Sequence, residues 1–280
     1  MFLTICHLAT TCARFIKVNS FIIKMLDLSK IDLSEYDIKR KLRLPKKLSN
    51  DLAYLCGVLA GDGHISKDYG NKCRNTIYCS GNPKDEIEYY DQIIVPLFFK
   101  LFNIKIKAKY FTDGTYGIRF DSKAIVQFLT KILNFSRGKK YNKLNIPQRF
   151  KKNKYLKLAF VRGLFDTDFG FCLCKKYKKD PYYPQLCFVS KSERFAKEIW
   201  KALKEFGIKF DGKVYRVLDK DNRAKSGFTI TYRFDLYGHK YLINIIKVIK
   251  IRHPKHIKKF KEWTLINKNN PKVMKLLIKK

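Results

Sequence analysis

Acidic residues are scarce in this chain. Asp and Glu number 24 against 60 Lys and Arg, giving a formal charge of +36 over 280 residues. A surface near neutrality is excluded, and a polyanionic partner is indicated, nucleic acid ahead of a membrane surface. Host composition can raise lysine, but thermophile lysine usually comes with glutamate, which is scarce here. Paired cysteines are lacking too. The chain has eight cysteines and no C-x-x-C pair, which argues against a zinc knuckle. Cys172 and Cys174 would share one face of a strand, and free thiols in a reducing compartment fit better than a metal. His253-x-x-His256 reads as a basic surface pair. No apolar run reaches the roughly 18 residues that a transmembrane helix needs. Residues 1–24 contain no acid and no small-residue cleavage site, so they make a poor signal peptide. We expect an extension there, leaving Met1 and Met25 both open as the start of translation, with no membrane partner and an intracellular location that is cytoplasmic in a prokaryote. Core material is plentiful: 46% of residues are hydrophobic and 15% aromatic, enough for one large domain or two ordinary ones.

The chain is organised around a duplicated stretch. Leu52–Ile65 reads LAYLCGVLAGDGHI, and Leu158–Phe171 reads LAFVRGLFDTDFGF. Ala53, Gly57 and Gly61 repeat every four residues, as do Ala159, Gly163 and Thr167. On a helix such positions form one stripe, and a stripe of small residues lets two backbones approach closely. Two partner helices are therefore expected, with Ala53, Gly57, Gly61, Ala159 and Gly163 at their interface. Each ladder ends at an acid, Asp62 or Asp168, and two carboxylates brought together there suit a divalent metal.

The elements around the two stretches also occur twice. Residues 25–50 are an amphipathic lead-in with a basic cluster, and Ser49, Asn50 or Asp51 caps the first helix. His64–Ser80 reads as a hairpin turning at 68–71, and Asp85–Phe102 as a helix kinked at Pro96. Strands at Lys105–Phe111 and Tyr116–Phe120 precede a helix at Lys123–Leu133 and a basic loop. The second half repeats this order: a hairpin over Phe169–Val189, a helix over Glu193–Phe206 closed by Gly207, strands at Lys213–Leu218 and Phe228–Leu236, and a helix at Lys240–Ile249. A second basic, proline-marked loop follows, and the tail from Asn267 to Lys280 is expected to be frayed. The expected architecture is α+β, a tandem repeat with pseudo-two-fold symmetry. It divides into an extension and basic lead-in (1–47), two halves (48–150 and 151–266) and a basic tail (267–280). One polar face of each hairpin could enter a DNA groove. The candidate contacts are His64, Ser66, Lys67, Arg74, Asn75 and Tyr78 in the first half, and Lys175, Lys176, Tyr183 and Gln185 in the second.

LCGVLAGDG and VRGLFDTDF resemble the two signature helices of a single-chain LAGLIDADG homing endonuclease, and the resemblance spans roughly Leu48 to Trp263. In the first motif Ala60 replaces the leading acid, which the second keeps as Asp166. The second has Phe169 where the pattern has its final glycine. The resemblance implies αββαββα halves with curved antiparallel sheets forming a DNA-binding saddle. It also implies cleavage of both strands of a long pseudo-palindromic site by a monomer, with Mg²⁺ (or Mn²⁺) at Asp62 and Asp168. By the same analogy the Gly61 and Thr167 carbonyls are further metal ligands, and Lys191, Lys139 or Lys140, and Lys255 are the basic residues of the site. Such lysines could stabilise transition-state charge or simply contact phosphate. Two alternatives stay open: a maturase bound to intron RNA, and a DNA-binding protein that no longer cuts.

Overall fold

The computed structural model describes residues 25–67, 75–140, 143–174, 182–222 and 224–278. The expected N-terminal extension, both hairpin tips and the contact residues Arg74, Lys175 and Lys176 lie outside them. The lead-in holds a short helix, α1 (Glu35–Lys39), capped by Ser34. The first half then runs α2 (Asn50–Gly61), β1 (Gly63–Ile65), β2 (Thr76–Gly81), α3 (Pro83–Tyr89), α4 (Val95–Phe102), β3 (Lys109–Tyr110), β4 (Tyr116–Asp121) and α5 (Lys123–Gln127). After α6 (Gln148–Lys151), the second half runs α7 (Lys154–Asp168), β5 (Phe169–Cys174), β6 (Tyr183–Ser190), α8 (Glu193–Glu205), β7 (Tyr215–Lys220), β8 (Phe228–Tyr237) and α9 (His239–Ile249). Helices α10 (Pro254–Ile266) and α11 (Pro271–Ile278) close the described chain. Each half builds one four-stranded antiparallel sheet, in the orders β1-β2-β4-β3 and β5-β6-β8-β7.

The two signature stretches are helices packed against each other through their glycines. A methyl group added at Gly57 would lie 2.0 Å from the Phe160 carbonyl oxygen, and one at Gly163 would lie 2.0 Å from that of Tyr54. The contacts are reciprocal, as a two-fold requires, and no side chain fits between the backbones. The Ser49 hydroxyl caps α2 by accepting from Leu52 N at 3.1 Å, and Asn153 caps α7 by accepting from Tyr155 N and Leu156 N. Strand alternation buries Ile65, Ile77, Cys79 and Ile118 beneath the first sheet, and Phe171, Leu186, Phe188, Phe234 and Leu236 beneath the second.

Several expectations are corrected. The strand expected at Lys105–Phe111 is paired only at Lys109–Tyr110. Continuing that register would set Lys107 opposite Arg119, and like charges across a ladder repel. The kink at Pro96 is taken up by a π-turn at Tyr90–Ile94, where Val95 N–H reaches back to Tyr90 O. Proline has no N–H of its own to continue the ladder, so the shift to the wider turn precedes it. The second basic loop is helix α10, with Pro254 in its first turn and His253 as its cap. The tail is not frayed throughout, since α11 forms and Val273 is fully buried.

Candidate metal and DNA site

The feet of α2 and α7 meet. A methyl group added at Gly61 would fall against the Thr167 side chain and 3.2 Å from the Asp168 carboxyl carbon. Asp62 and Asp168 therefore share one recess between the sheets. Both keep some surface open, yet the protein packed around them disfavours their charge. Burial pushes Asp62 up to about 7, with Asp168 and Glu86 adding repulsion. Burial pushes Asp168 up to about 6, opposed by Lys140 and Lys255.

Two of the expected lysines are at this recess. Lys140 donates to the carbonyls of Leu59, Ala60 and Gly61 and lies within electrostatic reach of Asp168 and Asp62. Its ammonium caps the negative end of α2. Lys255 pairs with Glu86 Oε1 at 2.7 Å. Lys191 instead has Asp221 as its ion-pair partner, at 3.8 Å. Lys139 is exposed.

The Gly61 carbonyl, an expected metal ligand, accepts from the Lys140 ammonium and keeps a second lone pair. The donors here fit a hard divalent ion. Among the described residues no group of three or more His, Cys, Asp or Glu side chains is arranged to hold a metal. Two carboxylates completed by substrate phosphate oxygens and water are the usual surroundings of Mg²⁺.

Three features were not read from the sequence. Asp166, the acid that the second motif keeps, is fully buried away from solvent. It accepts from the Tyr54 hydroxyl at 2.7 Å and from Arg252 N at 3.2 Å, so it ties α2, α7 and the start of α10 together. Burial raises its carboxyl to about 6 despite these bonds. His253 and His256 are not a surface pair but are buried; the His253 ring stacks on Tyr89 at 4.1 Å. Glu86 faces the recess from α3, and its Oε2 has no hydrogen-bond partner. Its one sequence signal is Gly81, where a methyl group would collide with that carboxylate. Phe169, in the final-glycine position, opens β5 and packs its ring on Phe165 at 4.5 Å, joining the hydrophobic core. Its first-half counterpart, Gly63, lies too close to Leu59 for any side chain.

The candidate DNA contacts divide. His64 and Lys67 are exposed, and Ser66, Asn75, Tyr78 and Gln185 are half-buried, on the outward sheet faces or their margins. Asn75 accepts from Arg137 at 3.1 Å, and Gln185 donates to Asp235 and the Tyr237 hydroxyl. Tyr183 lies at the end of its sheet against His239, with ring centroids 5.5 Å apart.

Twin helices packed through glycines, one carboxylate at each foot and a four-stranded sheet on either side define a two-fold repeat protein with a shared acidic recess. Residues 156–261, the second half of the repeat, match the family model of the LAGLIDADG-like domain. Two relatives come from Methanocaldococcus jannaschii. Uncharacterized protein MJ1054 is 31% identical over 166 residues, covering 58% of this chain and 17% of that protein. Uncharacterized protein MJ0314 is 24% identical over 194 residues, covering 68% of this chain and 66% of that protein. The chain thus spans about a sixth of the first and about two thirds of the second. Among solved structures, meganuclease I-SmaMI bound to uncleaveable DNA with a TTCT central four is 12% identical with a TM-score of 0.45, covering 79% of this chain and 94% of that one. LAGLIDADG homing endonuclease I-GzeII in complex with its DNA target is 12% identical with a TM-score of 0.46, covering 82% and 97%. No helix among the described residues is long and apolar enough to cross a membrane.

Proposed function

We propose that the protein is a site-specific double-strand DNA endonuclease acting as a monomer, with Mg²⁺ or Mn²⁺ held at Asp62 and Asp168. The observation that carries this reading is the shared recess: two carboxylates with raised pKa values meet at the helix feet, between two sheets whose outward faces include His64, Tyr78 and Arg119 on one side and Gln185 and Arg233 on the other. A divalent ion bound there supplies charge neutralisation at the phosphate and a more acidic water. The chain's own residues do the rest. Asp62 and Asp168 present hard oxygen donors. Lys140 offsets charge that a phosphate brings into the recess, and Lys255 offsets the Glu86 carboxylate that faces it. The outward side chains of the two sheets set the register on the duplex, and the overall positive charge draws the duplex in.

The test is incubation of the purified protein with a randomised duplex library and Mg²⁺, beside an Asp62→Asn, Asp168→Asn double variant, with recovery of the ends by sequencing. Discrete cuts made only by the unaltered protein support the reading, and binding without cuts in either sinks it. A second outcome, unequal cutting of the two strands, is favoured by the lysines: Lys140 caps α2, whereas Lys255 is neutralised by Glu86. Equal nicking rates on the two strands would remove that refinement. Retention of DNA binding without cutting is favoured by the Lys140 ammonium on the Gly61 carbonyl, and the same experiment distinguishes it.

A further inference from the structure

The outward face of the first sheet is a two-row lattice. The register sets His64 beside Tyr78 and Tyr78 beside Arg119. One pleat further from Asp62, Ser66 bonds to Thr76, and Thr76 stands opposite Asp121. Ser66 in the second row is four positions along the chain from Asp62, about 13 Å, or roughly four base-pair steps of a duplex. Over this lattice opens a cavity of about 770 Å³.

The outer wall of the cavity is not sheet. It is the lead-in, which contributes Ser34 and Tyr36. That segment is fastened by a buried charge. The Asp37 carboxylate accepts from the hydroxyls of Ser34 and Ser122, both at 2.7 Å, from Arg40 at 2.6 Å and from Ala124 N at 3.2 Å. Burial alone would raise its carboxyl, but the hydrogen bonds from Ser34, Ser122 and Arg40 hold it below the usual range. Arg40 also donates to the Asp121 carbonyl at 2.9 Å, which ties the wall to β4. One terminal nitrogen of the Arg40 guanidinium makes both of these bonds, while its Nε is buried without a partner and so is not presented to a phosphate. It lies 4.2 Å from the centroid of the Tyr36 ring, which stays 59% exposed. An aromatic ring held from behind and open in front is the arrangement that stacks on a base or a sugar. In the second half the segment at the same place in the order, α6, packs along α7 instead.

Resting on the endonuclease reading, we propose that the lead-in is a DNA-reading wall of the first half only. Tyr36 presents its ring to the sugar and base edges of the outer base pairs of one half-site, so recognition is longer on that side than on the other.

The experiment is selection of preferred sites from a randomised duplex library by the full chain, by Tyr36→Ala and by Tyr36→Phe, followed by titration of each protein with the duplex selected by the unaltered chain. Tyr36→Ala should lose base preference at the outer positions of one half-site, with inner positions and the other half-site unchanged. Its binding should weaken about tenfold, the size of one aromatic stacking contact. Tyr36→Phe should keep the preference. An unaltered chain that selects a site while Tyr36→Ala gives the same profile overturns the wall and leaves the endonuclease reading standing. A loss spread evenly over both half-sites also overturns it. Failure of the unaltered chain to select any sequence removes the endonuclease reading and the wall together.

Discussion

Asp62 and Asp168 are kept in a recess that disfavours their charge. Asp62 titrates near 7 in the folded chain against an ordinary carboxylate near 3.8. A raised carboxylate contributes stability that is present below its unfolded pKa and lost as pH rises through its folded pKa, here between about pH 4 and pH 7. Asp62→Asn should therefore raise the metal-free melting temperature at pH 8, with a gain of about 1–3 kcal/mol that vanishes below pH 4. The same change should abolish cutting, and Mg²⁺ should stabilise only the unaltered protein. Paired thermal melts at pH 4 and pH 8, with and without Mg²⁺, check this; no pH dependence of the gain would contradict it. His256 works in the opposite direction. Neither ring nitrogen makes a well-formed hydrogen bond, and burial pushes the ring down to about 3 against a weak opposing contribution from the Asp166 backbone. A depressed histidine costs stability as pH falls below its unfolded value near 6.5, because the unfolded chain takes the proton. His256→Phe should raise stability by about 1–2 kcal/mol, more at pH 5 than at pH 8. Denaturant melts at the two pH values would show it.

At the scale of elements, the α2–α7 contact allows little adjustment. The neighbour of Gly163 is the Tyr54 carbonyl of the facing backbone, not a side chain that could rotate away. Gly163→Ala should cost at least 3 kcal/mol, toward the upper end of overpacking costs, and should separate the two carboxylates. Chemical denaturation checks the first effect, and loss of Mg²⁺-dependent stabilisation checks the second. Gly207, at φ +89° after α8, has open space around it and closes that helix as its position in the sequence indicates. The small-residue ladder was legible because period and residue size are local properties. The π-turn before Pro96 was legible only as a kink, since its form depends on where the preceding carbonyls find partners. Helix α10 was hidden because lysine-rich composition and Pro254 read as loop. Its burial of His256 and Trp263 against the second half is what makes it helical.

For the whole molecule, the net charge of +36 dominates. Binding to duplex DNA should fall steeply with salt, with a log–log slope growing by about 0.9 for each phosphate neutralised. Titrations between 50 and 200 mM salt measure it, and a flat response would contradict an electrostatic footprint. The sequence by itself determined the duplication, the twin helices, the two acids at their feet and the sheet-and-helix order, because each is written in spacing along one segment. Tertiary structure alone decided which charges meet. It set Lys140 on the α2 carbonyls, Lys255 against Glu86, Lys191 against Asp221 and Asp166 under Tyr54. Those partners lie about 30 to 170 positions apart along the chain, and no local period encodes such a distance. Packing brings the backbones together first, and desolvation then selects which buried charge must find which partner.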